Sequence, residues 1–292
     1  MTSAFDVVCA GVVYLDLTFV GLECVPRPGE EYWARDLTLS PGGMANTAVG
    51  LARLGLRTAV IGSIGQDLAG SYLRGALEAE GVVCLGPDVE RSAMTAVLPI
   101  AGDRAMVSHL PREVASGETL RELQPRAVVM LVDQLEQVPA GLRVYALTSH
   151  AEVHAAANGT ERQLPRTHAL IANEAEALAL SGESQADLAA RLLSRTADTA
   201  VVTLGADGAL AVSDGHLVHV AAPRTEVQDA TGAGDLFAAA YVWADLAGYD
   251  LASRLQWASL YASRSLTTLT AFAGAGSLDD LVEAGRRAGL IN

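Results

Sequence analysis

The chain has 292 residues, half of them hydrophobic, which is enough for one large core with a smaller lobe. Its net charge is -14 at pH 7, and all 20 of its basic residues are arginines. The composition therefore excludes the basic footprint of a nucleic-acid-binding protein and, without a lysine, a P-loop enzyme. Three cysteines with no Cys-x-x-Cys pair, no leader pattern and no bilayer-length apolar stretch predict a reduced, cytoplasmic protein without a membrane partner.

Short apolar runs alternate with helical patterns along most of the chain. "FDVVCAGVVYLDLTF" from residue 5 holds two such runs, broken at Gly11, and "TAVIGSIGQDLAG" from residue 58 holds another. Later runs begin near residues 127, 143, 168 and 200, with "NEAEALALSG" and "ADLAARLLSR" as helices between them. This alternation predicts an α/β fold, in which helices cover a parallel sheet.

Two segments break the alternation, residues 12–40 and 92–111. Both resemble pairs of hairpin strands, and the second turns at "AGDR". No linker or repeat separates them from the rest. We therefore predict a single domain over residues 1–292 with a small β lobe inserted into it.

The stretch "SPGGMANTAVGLARLG", residues 40–55, places two glycines before a helix pattern. Glycine lets a ligand approach the main chain closely, and the first amides of a helix lack partners. Such a stretch suits a ligand site with Asn46 at the mouth of the helix. A plain turn over 41–43 that Asn46 caps explains the same residues, and the stretch alone does not separate the two.

A second glycine-rich helix start lies in "VQDATGAGDLFAAAYVWADLAGYD". Apolar residues recur at helical spacing after Asp235, so residues 231–234 form the helix entry. Free amides and the helix dipole make such an entry a cradle for phosphate. Asp235 within it is either an acidic residue that stabilises the helix start or a base that takes a proton from an attacking hydroxyl.

Four motifs in fixed order resemble those of the ribokinase-like (PfkB) carbohydrate kinases. They are "GGMANTAVGLARLG", "NEAE", "VTLGADGAL" and "DATGAGD", and "VIGSIGQDLAG" resembles the family's early strand-to-helix stretch. The resemblance implies a three-layer α/β/α core with a mostly parallel central sheet and a small β lid. It also implies a kinase that transfers the γ-phosphoryl group of ATP to a hydroxyl of a small sugar-like substrate.

The resemblance further implies a role for each matching residue. Asp235 is the general base, and the amides of Gly232, Ala233 and Gly234 form the anion hole. Sugar hydroxyls are bound by Asp16, Gly42, Gly43 and Asn46. The ATP site takes in Asn173, Thr203, Gly205 and Gly208, and Mg²⁺ is held by Glu176, with Asn173 beside it, through water. K⁺ is a candidate monovalent cation, and the lid is expected to join two copies into a homodimer.

Three features depart from the family pattern and leave the acceptor open. Ala230 replaces a hydroxyl residue, Met44 replaces a common lysine, and residues 148–169 lack the usual aspartate, asparagine and arginine run. A nucleoside kinase is an alternative, since Trp33, Met94 and Met106 are candidates to contact a base, although they suit lid packing or a dimer seam equally. A non-catalytic sugar or nucleotide sensor on the same fold is another.

Two smaller features have ordinary explanations beside the functional ones. Arg104, in the predicted lid turn, is a solvated arginine or a contact to a substrate phosphate. His150 and His154 are four positions apart, but Glu152 is misplaced for a zinc protease helix, so an exposed helix face is predicted there.

Overall fold

The computed structural model describes residues 3–22, 24–86, 89–100, 103–110, 116–149 and 164–291, with the backbone alone at residues 99, 100, 103 and 104. The strands are β1 (Val7–Ala10), β2 (Val13–Val20), β3 (Asp36–Gly43), β4 (Thr58–Ile61), β5 (Val83–Leu85), β6 (Ala93–Ile100), β7 (Asp103–His109), β8 (Ala127–Leu131), β9 (Val144–Leu147), β10 (Thr167–Asn173), β11 (Ala197–Thr203), β12 (Ala209–Ser213) and β13 (His216–Val220). The helices are α1 (Met44–Arg53), α2 (Leu68–Ala79), α3 (Gly117–Leu123), α4 (Glu174–Ser181), α5 (Ala186–Leu193), α6 (Ala233–Leu246), α7 (Leu251–Ser265), α8 (Ala271–Gly274) and α9 (Leu278–Arg287), with 3-10 turns at Val132–Gln137 and Gly205–Asp207.

Within the described ranges, the main sheet has nine strands in the order β13-β12-β11-β10-β9-β8-β1-β4-β5. Neighbouring strands from β11 to β5 run parallel, and only the pairs β11–β12 and β12–β13 are antiparallel. The predicted α/β fold with a mostly parallel central sheet is therefore confirmed.

Both faces of this sheet are covered, as the apolar strand runs require. Every residue of β1 is fully buried. Val7 and Cys9 join one hydrophobic cluster with residues of α1, α2, α6 and α7, while Val8 and Ala10 join another with residues of α5. Because successive strand side chains point to opposite faces, the two clusters define helix layers on both sides and three layers in all.

A second sheet of four strands, in the order β3-β2-β6-β7, is built from the two segments that break the alternation. We call it the small sheet. It is antiparallel except for the pair β2–β6. One row across it is apolar, with Val107, Ala96, Leu17 and Leu39 in register. The adjacent row on the opposite face is polar, with Ser108, Thr95, Asp16 and Ser40 in register.

Helix α6 lies along the main sheet with a definite direction. Asp245, near its C-terminal end, accepts hydrogen bonds from Tyr145 and His168, which lie near the starts of β9 and β10. Fourteen residues of helix extend about 20 Å. The N-terminus of α6 therefore lies toward the carboxyl ends of the strands, the edge at which α/β proteins bind ligands.

Among the described helices, none is long and apolar enough to cross a membrane.

Candidate active site

The glycines before α1 belong to a strand instead of the simple turn that the sequence left open. Residues 41–43 end β3, and Gly43 is the N-cap of α1 with φ of 61°. A Cβ on Gly42 would lie 1.9 Å from the Asp16 carboxylate. Only glycine allows Asp16 to rest against this backbone, so the structure brings Asp16, Gly42 and Gly43 together.

Asn46 lies in the first turn of α1 and does not cap that helix. Its Nδ2 donates to Oδ2 of Asp235 at 3.0 Å, across 189 positions of sequence. The side chain is buried, and its Oδ1 atom accepts no hydrogen bond from any described residue. A buried acceptor of this kind suits a ligand hydroxyl that donates to it.

This contact depends on close packing between α1 and α6. A Cβ on Gly50 would lie 2.8 Å from Cβ of Ala239 and 3.0 Å from Cδ2 of Leu236. The glycine therefore lets the two helices approach closely enough for Asn46 to reach Asp235.

The turn before α6 also requires glycine. Gly232 is the N-cap of α6 with φ of 73°, and a Cβ there would lie 2.5 Å from Cβ of Ala271 and 2.8 Å from Nδ2 of Asn46. The amide of Ala233 donates to Ala230 O at 3.3 Å, a long turn hydrogen bond. The amides of Gly232 and Gly234 form no hydrogen bond to another described residue. Gly234 is exposed, and a Cβ there would meet open space.

Asp229 holds this turn from behind, a role that the sequence did not assign to it. Its Oδ1 accepts from Thr231 N at 2.8 Å, and its Oδ2 accepts from Thr270 N at 2.9 Å. The backbone amides of Gln228 and Asp229 both donate to Leu266 O. The turn at residues 231–234, which we call the glycine turn, is thus fastened to the segment that follows α7. Asp229 stands at the start of "DATGAGD", the one signal that marks it.

A second group of residues lies at the carboxyl ends of β9, β10 and β11. Asn173 and Thr203 are register partners in β10 and β11. Asn173 caps α4 through Oδ1, which accepts from Glu176 N at 2.9 Å, and Glu176 Oε2 accepts from Asn173 N at 3.0 Å. Thr148, which the sequence analysis did not single out, also donates to Glu176 Oε2. The Asn-x-x-Glu motif is therefore a capping box that also fixes the direction of Glu176.

The loop after β11 turns tightly back into β12. Gly205 has φ of 59° and Gly208 has φ of 100°, and Leu204 N donates to Gly208 O at 2.7 Å. A Cβ on Gly208 would lie 2.0 Å from Val220 O, whereas one on Gly205 would face open space. Gly208 is thus required by packing and Gly205 by its backbone angle.

Carboxylates suited to a phosphate-bound Mg²⁺ are present, but the described residues form no complete metal cage. Within the described ranges, no three His, Cys, Asp or Glu side chains cluster to hold a metal ion. Mg²⁺ at phosphate sites usually keeps several waters and takes only one or two carboxylates. Glu176, oriented by two donors on one oxygen, fits that limited role.

A cavity of about 550 Å³ lies beside the segment that Asp229 fastens. Its walls come from the loop before the glycine turn, the end of α7, residues 267–276 and the start of α9, and include Thr225, Ser263, Arg264, Thr268, Gly274 and Asp280.

Several candidates do not join these groups. Trp33 and Met106 are exposed on the small sheet and its connection, while Met94 is partly buried against the core. The Arg104 side chain, His150 and His154 lie outside the described residues, so their predicted roles stay predictions.

Comparison with known proteins matches the family model described as pfkB family carbohydrate kinase to residues 4–105 and 140–273. The 5-dehydro-2-deoxygluconokinase of Bacillus velezensis is 25% identical, covering 96% of this chain and 95% of its own. The aminoimidazole riboside kinase of Salmonella typhimurium is 29% identical, covering 74% of this chain and 75% of its own. A ribokinase II of E. coli solved with ATP and Mg²⁺ superposes with a TM-score of 0.79 at 20% identity, covering 98% of this chain and 100% of its own.

The family model spans both glycine-rich helix starts, the capping box and the loop after β11, and the ribokinase fold extends over nearly the whole chain. The chain therefore belongs to the pfkB family of carbohydrate kinases.

Proposed function

We propose that this protein transfers the γ-phosphoryl group of ATP to a hydroxyl of a small sugar-like substrate, with Asp235 as the general base. The observation that supports this most strongly is the pair of Asn46 and Asp235 at the N-terminus of α6. The pair places an amide with a spare buried acceptor and a carboxylate directly against Gly232, since a Cβ there would lie 2.8 Å from Asn46 Nδ2 and 3.3 Å from Asp235 Oδ2.

Each part of this site has a distinct task. Asn46, with Asp16 against Gly42, binds the acceptor, so that the attacking hydroxyl lies near Asp235. The dipole at a helix N-terminus favours a negative charge there, and the loose transition state of phosphoryl transfer needs little early proton removal, so a carboxylate suits the position. The amides of Gly232, Ala233 and Gly234 face the negative charge that develops on the transferred group, with the helix dipole adding to them.

ATP is assigned to the other group of residues. Asn173 and Thr203 end neighbouring strands, Gly205 and Gly208 form the loop that follows, and the ribokinase II of E. coli that shares this fold was solved with ATP and Mg²⁺. Glu176 would hold Mg²⁺ through water, where the ion would neutralise charge on the phosphates. K⁺ dependence stays a prediction, tested by comparing rates in potassium and sodium buffers.

A sugar or sugar acid is the first choice of acceptor, and a nucleoside is the second. The first rests on the family description and on the 5-dehydro-2-deoxygluconokinase relative, and the second on the aminoimidazole riboside kinase relative. The exposed Trp33 and Met106 give a base no preformed pocket in the described structure, which favours the sugar.

The test is a panel assay of ATP consumption. The acceptors are ribose, fructose, 2-keto-3-deoxygluconate, 5-dehydro-2-deoxygluconate, phosphosugars, adenosine and aminoimidazole riboside. We expect one sugar or sugar acid to exceed the nucleosides in kcat/KM. Nucleotide binding without phosphorylation of any of these acceptors would instead favour the non-catalytic sensor.

The small sheet is proposed as a lid that also joins two copies of the chain. Its polar row includes Asp16, which lies against Gly42, while Leu37, Leu39 and Val107 remain about half exposed or more on the apolar face. Pairing two such faces buries this apolar area.

Sedimentation velocity should give twice the 30.3 kDa chain mass, and Val107→Glu should give monomers. Leu68→Glu, on an exposed site of α2, is the control that should stay dimeric.

A reduced, cytoplasmic location is the matching expectation for a kinase that uses cellular ATP. The described cysteines, Cys9, Cys24 and Cys84, are free thiols. Fractionation of the source cells tests this point.

A further inference from the structure

Residues 270–276, which we call the strap, lie between α7 and α9 and contain α8. The strap begins with a backbone conformation that side-chain-bearing residues rarely adopt, because Thr270 has φ of 67° and ψ of 139°. Such a residue persists only where its surroundings hold it in place, and it is a reason to look for function.

Side chains from three separate elements hold the strap backbone. Asp229 accepts from Thr270 N, and Tyr261 OH donates to Gly276 O at 2.7 Å. Arg53 Nη1 donates to Phe272 O at 3.1 Å and also to Ala275 O. The strap is therefore tied to the glycine turn, to α7 and to α1 at once.

Arg53 is itself rigidly placed. Its Nε and Nη2 form a two-pronged pair with Glu80 at 2.8 and 2.7 Å, and its guanidinium carbon lies 5.7 Å from the Phe272 ring centroid. The hydrogen bond from Arg53 lowers the pKa of Glu80, so the pair is charged at neutral pH. Arg53 ends α1, the helix whose first turn carries Asn46.

The strap also touches the glycine turn directly. A Cβ added to Gly232 would lie only 2.5 Å from Cβ of Ala271, so Ala271 packs directly against Gly232. A displacement of the strap therefore moves Ala271 away from Gly232 and Thr270 N away from Asp229, which also holds Thr231 N at the start of the turn.

We propose that Arg53 is a positioning residue that, by holding the carbonyls of Phe272 and Ala275, fixes the strap and through it the amides that receive the transferred phosphoryl group. The inference rests on the proposed function of the glycine turn. It makes the far end of the acceptor helix part of the phosphate-binding geometry, although Arg53 itself touches no substrate.

The test compares binding of Mg²⁺·ADP with binding of Mg²⁺·β,γ-imido-ATP by calorimetry. The dissociation constant for ADP divided by that for β,γ-imido-ATP measures what the γ-phosphate contributes to binding. Measuring this ratio requires no acceptor and no turnover. Arg53→Lys keeps the charge but loses the fork and most of the carbonyl contacts. We expect the ratio to fall about fivefold, the effect of losing roughly one hydrogen bond, with ADP affinity changed less than twofold.

Glu80→Gln is the matched control. It weakens the ion pair but leaves Arg53 Nη1 on the strap, so the thermal midpoint should fall while the ratio stays at the wild-type value. If Arg53→Lys lowers only the thermal midpoint, as a purely structural arginine would, the positioning role is wrong.

Ala271→Gly provides a second variant in case Arg53→Lys does not fold. It removes the methyl group beside Gly232 and leaves Arg53 intact, and it should also lower the ratio. If Ala271→Gly keeps the ratio of the unmutated protein, the inference is wrong. The proposed function still stands in that case, provided that the unmutated protein binds both nucleotides. A wild-type protein that binds neither nucleotide refutes the proposed function and this inference together.

Discussion

The two ends of α6 each carry an aspartate, and the structure treats them in opposite ways. Asp235, in the first turn, is half-buried beside a glycine turn and open amides, and it accepts a hydrogen bond from Asn46. Asp245, in the last turn, is buried and bonded to Tyr145, His168 and Arg254. Asp245 is committed to structure, whereas Asp235 lies where we propose the chemistry takes place.

The surroundings explain the difference. At the N-terminus, the helix dipole and free amides stabilise an anion without enclosing it. At the C-terminus the dipole is unfavourable for an anion, so Asp245 is kept charged by its partners alone. Burial raises the pKa of Asp245, but hydrogen bonds from His168 and Tyr145 and the charge of Arg254 outweigh burial and hold the pKa at about 2.

The largest effect on stability is expected at the buried end. Asp245→Asn leaves the Arg254 guanidinium without its charged partner, which typically costs about 3–5 kcal/mol. We expect that loss in urea unfolding, with turnover per folded molecule within about threefold of wild type. A variant as stable as wild type would show that the Asp245 network contributes little.

Gly232→Ala, at the N-terminus of α6, should have the next largest effect, which is a loss of kcat. The methyl group would meet Ala271 and Asn46, at a φ that alanine disfavours. Displacing the anion-hole amides should lower kcat by about 10²-fold or more, comparable to losing one such donor. Gly75→Ala, in α2 with no atom within 4 Å of its Cβ, is the control and should keep wild-type kcat.

Acid should unfold the protein partly through Asp245. Because its pKa is lowered on folding, its contribution to stability is full above the ordinary aspartate pKa of about 4 and is lost as the pH falls toward 2. Urea unfolding from pH 5 to pH 2.5 should therefore show a steeper loss in wild type than in Asp245→Asn. Parallel curves for the two proteins would contradict this assignment.

The smallest effect is expected from Asn46→Ala. Loss of one hydrogen bond to a neutral hydroxyl costs roughly 0.5–1.5 kcal/mol, or about two- to tenfold in acceptor affinity. ATP affinity should stay nearly unchanged in the same titrations. Gly75→Ala, in α2 away from this site, again serves as the control, and equal losses of ATP and acceptor affinity in Asn46→Ala would contradict the acceptor assignment.

The sequence predicted the parts of the molecule that depend on local pattern. Apolar runs that are buried on both faces, such as residues 127–131, indicate a covered parallel strand, and the glycine-rich motifs indicate helix starts. Asn173 and Glu176 were singled out by the family's Asn-x-x-Glu motif, and the structure shows that the same four residues form a capping box.

Such local patterns did not predict the contacts between elements that are distant in the sequence. The bond between Asn46 and Asp235 joins α1 to α6, and Arg53 reaches a strap more than 200 positions away. Nothing at Asp245 marks it as buried, because its partners Tyr145, His168 and Arg254 lie on three other elements. Those positions are fixed by helix packing and sheet order, which periodicity does not specify.

The most direct test of the account is single-turnover phosphorylation by Asp235→Asn, with the acceptor found in the panel, paired with unfolding of the same protein. Asparagine keeps the size and the contact with Asn46 but does not accept the hydroxyl proton. The account predicts a rate lower by about 10² to 10⁴, ATP affinity unchanged or slightly higher, and unfolding free energy within about 1 kcal/mol of wild type. A variant that retains more than about a tenth of the wild-type rate would contradict the general-base role and leave Asp235 as an acidic residue that stabilises its helix.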